Sequence, residues 1–240
     1  MHFEVILHSL YFFNRNICGI ISEKIWKSKK RLRSTAMCYR FYIDLFFKKR
    51  VKKEITDKGI LVPAEGLAAL SEPRDVFPSE KALVISASGR QGVLNAESMG
   101  WGFSNPVSKG LLANARSESI TEKPTFRDSA LTRRCAIPAS GFYEWDEHKA
   151  RYKFFRTDDE LLWLAGIYRI EDGIKKFTVL TREAAGPMIP VHPRMPVTLN
   201  GFEVGTWIRD TGFMDDLFRR EPRYLMREQD AGQISMDLGI

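Results

Sequence analysis

The spacing of hydrophobic and polar positions changes rhythm twice along this chain. Over 41–58 the apolar residues Phe41, Leu45 and Phe46 fall on one face and are followed by the basic run KKRVKK and Gly59, which predicts a helix closed by glycine. After a loop around Pro73 and Pro78 the rhythm shortens to β-like runs at 82–86, 92–95, 98–103 and 110–116. A polar stretch follows. Further strands are predicted at 133–139, 141–145, 151–155, 161–169 and 175–181, separated by glycine, aspartate and charged turns. Helical spacing returns over 201–208 and 213–225. The succession predicts a β-rich α+β chain with helices toward its ends and no interior linker, hence one domain.

Residues 1–36 fit neither rhythm. Their bias toward Ile, Phe, Asn and Lys reads as a mis-assigned start or a removable leader. The expected organisation is therefore a leader at 1–36, a domain at 37–228 and a tail at 229–240. The leader's basic residues follow its apolar stretch, and no small-residue cleavage motif closes that stretch, which argues against a signal peptide. Glu4, His8, Asn14, Arg15 and Asn16 interrupt it too often for a membrane span. A soluble cytoplasmic protein is expected.

Composition alters this picture in two places. The net charge of +7 suggests a polyanionic partner, but seven basic residues against Glu4 and Glu23 give the leader +5 and leave the remainder only +2. Bulk charge therefore argues weakly for nucleic acid. The cysteines Cys18, Cys38 and Cys135 are odd in number and have no CxxC spacing, so neither a disulfide framework nor a zinc site is expected. No metal or cofactor is implied.

Candidate chemistry lies in four short segments. Cys38 follows Met37 directly. If Met37 is the first residue and is removed, Cys38 carries an α-amine and a thiol on adjacent carbons, a pair that closes a thiazolidine ring onto an aldehyde. Glu144 lies between Tyr143 and Trp145 in a strand pattern; alternation aims it away from both neighbours, and a solvent-facing strand residue is its ordinary reading. His192, flanked by Pro190, Pro193 and Pro196, sits in a stiff loop of the kind that hosts sites. Asn114 and Arg116 share one face if their segment is a strand, and otherwise read as a turn and a surface charge.

Met37-Cys38-Tyr39-Arg40, Trp101-Gly102-Phe103, Asn114-Ala115-Arg116-Ser117-Glu118, Gly141-Phe142-Tyr143-Glu144-Trp145 and Val191-His192-Pro193-Arg194-Met195-Pro196 follow in this order. Together they resemble the SOS response-associated peptidase (SRAP) family, also called abasic-site processing proteins, from Met37 to about Leu225. The resemblance implies a single β-rich domain of mixed and antiparallel sheets with a barrel-like core and peripheral helices. It also implies a monomer that crosslinks itself to abasic sites in single-stranded DNA, with weak strand-cleaving lyase activity on the side. Cys38 would be the nucleophile, Glu144 the acid/base, Asn114 an orienting group and His192 a proton donor to the leaving hydroxyl. Arg40 and Arg116, then Thr181 and Arg194, would contact phosphates, with Trp101 and Pro78 buttressing the flanking bases. Bound to DNA, such a protein would be associated with the nucleoid. An older reading of the family implies a thiol peptidase that cuts before Cys38, and a non-catalytic single-stranded DNA-binding module with Cys38 blocked is the other alternative.

Tyr39 stands where the family has glycine, and Pro193 where it often has aspartate. Near the C-terminus, Gln233-Ile234-Ser235-Met236-Asp237-Leu238 has the form of peptides that dock on the bacterial sliding clamp, which would be a second partner.

Overall fold

The computed structural model describes residues 39–63, 72–222 and 224–230. Met37, Cys38, the leader and the clamp-like segment Gln233 to Leu238 lie outside the described residues.

The chain opens with β1 (Phe41–Ile43), all three residues of which are buried. A helix there would turn consecutive side chains about 100° apart and bury a single stripe, so this run departs from the helix predicted over 41–58. The helix, α1 (Phe47–Asp57), starts later and buries Phe47, Val51 and Glu54. Leu45 and Phe46, expected on its apolar face, are 78% and 64% exposed. Across an intervening loop the chain forms β2 (Arg74–Val76), β3 (Lys81–Ala87), β4 (Leu94–Trp101), β5 (Phe103–Ser104), β6 (Leu111–Leu112) and β7 (Asn114–Arg116). Next come α2 (Pro124–Thr132), β8 (Arg134–Ala139), β9 (Gly141–Trp145), β10 (Arg151–Arg156), β11 (Leu162–Glu171) and β12 (Ile174–Glu183). The chain ends with β13 (Arg194–Pro196), β14 (Thr198–Leu199), α3 (Val204–Arg209), α4 (Phe213–Arg219) and β15 (Leu225–Gln229).

Five of these strands close on themselves. β12 runs parallel to β4, β4 pairs with β3, β3 with β8, β8 with β11, and β11 returns to β12. The result is the barrel-like core that the family resemblance implies, with β7 and β13 added along β12 and β14 along β11. A second sheet, ordered β15-β10-β9-β1-β2, packs beside it. Both faces of the barrel strands are covered. Along β3, Leu83 and Ile85 join a cluster shared with the helices, whereas Ala82 and Val84 join one shared with the second sheet. Strands covered on both sides read as continuous apolar runs, as ALVIS and RRCAIPA do.

Two glycines fix the layout. A Cβ on Gly141 would lie 2.2 Å from the Phe154 carbonyl and 2.5 Å from the Tyr42 hydroxyl, so only glycine lets β1, β9 and β10 approach as they do. Gly102, at φ +110, breaks β4 from β5. The buried Arg134 fastens α2 and α3 to the barrel. Its guanidinium donates to the carbonyls of Ala130 and Leu131 near the end of α2 and of Trp207 and Ile208 near the end of α3. Those terminal carbonyls have no helical partner of their own and carry the negative end of the helix dipole.

α2 lies in the stretch that reads as merely polar, and the helix expected over 213–225 ends at Arg219, with β15 beginning at Leu225. β15 includes Gln229, and Arg151 pairs with Asp230 at 2.9 Å; ordered structure thus passes the expected tail boundary at 228. No helix among the described residues is long and apolar enough to cross a membrane.

Candidate functional site

β7 lies parallel to the last part of β12, with Val179 opposite Asn114 and Thr181 opposite Arg116. Alternation buries Ala115 and turns Asn114 and Arg116 to the other face, which is the shared face expected of a strand. Arg116 is exposed, and among the described residues no hydrogen bond or ion pair engages its guanidinium. Thr181 is fully buried and its hydroxyl donates to the Ala115 carbonyl at 3.4 Å. Expected at phosphates, it instead ties β7 to β12.

The other edge of β12 carries β13, with Glu183 opposite Arg194, and the turn before β13 presents His192. A short 3-10 turn at Gly186–Met188 and the bond from the His192 main-chain N–H to the Met188 carbonyl (3.1 Å) set this turn. Nδ1 of His192 accepts the main-chain N–H of Arg194 at 3.1 Å, and the Arg194 carbonyl is equally near. A neutral ring can accept the first and a protonated ring can donate to the second, so both protonation states have a partner in place. The backbone thus supplies orientation that an aspartate at Pro193 would otherwise give. Arg194 itself is committed, since its guanidinium donates to both oxygens of Glu118 (2.5 and 2.8 Å) and to the Thr181 carbonyl (2.8 Å). Burial raises the Glu118 carboxyl, but the bonds from Arg194 outweigh it and hold the group below its ordinary value. Arg194 is therefore a strut beside His192 rather than a free phosphate ligand.

Glu144 stands on β9 opposite Tyr152 of β10. At 5% exposure it is buried, not the solvent-facing residue that strand alternation alone suggests; the second sheet packs this face on the barrel. Continuing toward the N-terminus from β1, the Tyr143 N–H donates to the Arg40 carbonyl at 3.0 Å, so Arg40 extends the pairing of β1 with β9. Arg40 donates through Nε to Asp75 (2.8 Å) and also pairs with it through Nη2. Its guanidinium lies over the rings of Phe77, Tyr143 and Trp145, 5.0, 5.1 and 6.0 Å from their centroids. Burial, together with Asp75 and Asp230, raises the Tyr143 hydroxyl above its ordinary value. Tyr39 is exposed.

Trp101, expected against DNA bases, is 1% exposed. Its ring packs between Phe41 and Phe177, and its indole N–H donates to the Ala113 carbonyl at 2.8 Å; a core position with its one donor satisfied cannot stack on a base. Pro78 is half-buried in the turn between β2 and β3, beside the exposed Phe77. The aromatic group that does reach solvent near the site is Tyr39, Phe77 and Trp145. A solvent-facing Glu144 would have turned Trp145 inward, so the strand pattern pointed away from this group.

The candidate segments converge through the core. Ala113, Phe142 and Val191 immediately precede or lie two residues before Asn114, Glu144 and His192, and Phe41 follows Cys38 by three. All four belong to one buried cluster. A small closed barrel with a second sheet beside it and helices on its outside defines the protein as an α+β fold. The SOS response associated peptidase (SRAP) family profile matches residues 37–233, and the chain belongs to that family. It is 32% identical over 148 residues to the abasic site processing protein YoaM of Bacillus subtilis (strain 168), covering 56% of this chain and 64% of YoaM. It is 30% identical over 123 residues to the abasic site processing protein HMCES of Xenopus tropicalis, covering 40% of this chain and 37% of that protein. The chain thus spans just under two thirds of the Bacillus relative and a smaller share of the frog one. A crystal structure of a protein from Bordetella bronchiseptica superposes with a TM-score of 0.66 at 23% identity, over 80% of this chain and 99% of that one. That likeness concerns the fold.

Proposed function

We propose that this protein captures abasic sites in single-stranded DNA by a covalent bond through Cys38, once Cys38 is the first residue. The ring-opened abasic sugar offers an aldehyde at C1′. The Cys38 amine adds to it, the carbinolamine loses water to give an imine, and the thiol then adds to the imine carbon and closes the thiazolidine. An α-amine near pKa ~8 and a thiol near ~8.5 leave a working fraction of both nucleophiles unprotonated close to neutrality. Glu144 moves the proton between amine, sugar O4′ and departing water, and its burial keeps bulk water from competing for that role. His192 protonates the leaving hydroxyl, and its two main-chain partners suit a group that gains and loses a proton. Asn114 orients the Cys38 terminus or the sugar. Arg116 holds phosphate, and Tyr39, Phe77 and Trp145 take the stacking role.

The observation that carries this reading is the convergence of the residues flanking Cys38, Asn114, Glu144 and His192 on one buried cluster. The test incubates protein beginning at Cys38, and the full 240-residue chain, with a single strand holding one abasic site, followed by a denaturing gel. A stable shifted band only from the Cys38-terminal form is expected. Cys38-dependent cleavage of the full chain before residue 38, with no DNA adduct, would favour the peptidase reading instead.

A further inference from the structure

The basic run that the sequence singles out plays no part in the chemistry above, and its position on α1 gives it one. Lys48, Lys49, Lys52 and Lys53 are all exposed. Basic neighbours of the same segment are occupied: Arg40 by Asp75, Arg50 by Asp44 and Asp159, and Lys58 by Glu54. Lys53 reaches Glu160 only at 4.0 Å, and among the described residues Lys48, Lys49 and Lys52 have no ion pair. Exposed Leu45 and Phe46 lie at the start of the same helix.

The arrangement is unfavourable to an isolated helix in two ways. Lys48 and Lys52, and Lys49 and Lys53, are like charges four residues apart, which repel. Two of the four also sit in a first turn that contains no acidic residue and whose N-terminal cap makes no side-chain bond, at the positive end of the helix dipole. A polyanion laid along this face relieves both. Only six residues, β1 and the turn Asp44 to Phe46, lie between Arg40 and the start of α1, so one strand can pass from the site to the helix.

We propose that this face of α1 is a second DNA contact, in which Lys48, Lys49, Lys52 and Lys53 bind the phosphates of the strand leaving the lesion and Phe46 stacks on one of its bases. The contact rests on the reading of this protein as one that acts on single-stranded DNA, but it requires no covalent chemistry. Sequence plays no part in it, because phosphates and ring faces are common to every nucleotide.

The test measures binding of the full 240-residue chain to an undamaged 30-nucleotide single strand by fluorescence anisotropy across a salt series. Replacing all four lysines by alanine is expected to reduce the slope of log affinity against log salt by about three, at ~0.7 per lost phosphate contact. Replacing Arg90, Lys109, Lys123 and Arg127, four exposed basic residues elsewhere, removes the same charge and is expected to change the slope by less than about one. Phe46→Ala should weaken binding about tenfold and leave the slope as it was. Alanine favours the helix, and an unchanged circular dichroism spectrum confirms that the lysine variant folds. An unmoved slope, or an equal fall in the control, overturns the proposal. So does a variant that loses only binding to phosphatidylserine vesicles. Crosslinking of the Cys38-terminal form to a seven-nucleotide abasic strand is read in parallel. If it is absent from both parent and lysine variant, the covalent reading fails while the salt slopes still decide this contact.

Discussion

The main-chain N–H of Arg194 points at Nδ1 of His192 across 3.1 Å, while the side chain of the same arginine is held by Glu118. An arginine that sequence comparison places at DNA thereby orients an imidazole. Glu118→Gln removes one side of a charge-assisted pair that exchanges two bonds. Crosslinking to an abasic strand is expected to slow about tenfold through loss of positioning, with affinity for undamaged single strands within twofold. Single-turnover gels and anisotropy separate the two effects, and a parallel fall in affinity would return Arg194 to the phosphates.

Glu144→Gln keeps the shape of a buried side chain and removes its ability to take a proton. Crosslinking is expected to fall by about 100-fold or more, with the melting temperature not reduced. A crosslinking rate equal to that of the parent would transfer the acid/base role to His192.

Trp101 separates a core role from a DNA role. Trp101→Phe deletes the indole donor and leaves the Ala113 carbonyl with the Val179 N–H alone, at an expected loss of about 1 kcal/mol in urea unfolding. Affinity of the folded variant for single strands should be unchanged, whereas Trp145→Ala should weaken it about tenfold. The reverse pattern would reinstate Trp101 at the bases.

Acid stability has a defined direction. Burial pushes the Glu171 carboxyl up, but bonds from Lys176, Ser104 and Arg169 prevail and hold it at about 2, below the ordinary 4.5. Glu203 is lowered likewise, with Arg220 and the Asn200 main chain overcoming its burial. Carboxyls depressed in the folded state stabilise it fully above about pH 5 and lose that contribution as pH falls through 4.5 toward 2. Glu171→Gln is expected to remove about 2 kcal/mol at pH 7, after allowance for its partial contact with solvent, and to flatten the decline between pH 5 and 2. Urea midpoints across that range provide the measurement.

The barrel strands were legible because burial on both faces leaves apolar runs such as 82–86 and 134–139, short enough and bounded closely enough by turns to read as strands. Phe41 to Ile43 misled because three adjacent apolar residues beside a helical pattern fit either element until pairing with β2 and β9 decides. α2 was hidden for the opposite reason: Phe126, Ser129 and Ala130 are its only buried residues, too few to stand out from polar neighbours. At the site, the identity of Asn114, Glu144 and His192 was readable and their surroundings were not. Burial of Glu144 depends on a sheet whose β15 comes 80 residues later, and the duties of Trp101, Thr181 and Arg194 are set by partners distant in sequence.

Closure of the barrel has a consequence in time. β12 is both the last of its five strands to be made and the one that meets β4 and β11 together. A ribosome adding roughly 5–20 residues per second has long since released the amino-terminal segment before residue 183 emerges. An enzyme that trims the chain in front of Cys38 during synthesis meets an open polypeptide, with neither Glu144 nor His192 yet in position. On the proposed reading, the amine is then exposed before the groups that would use it are assembled.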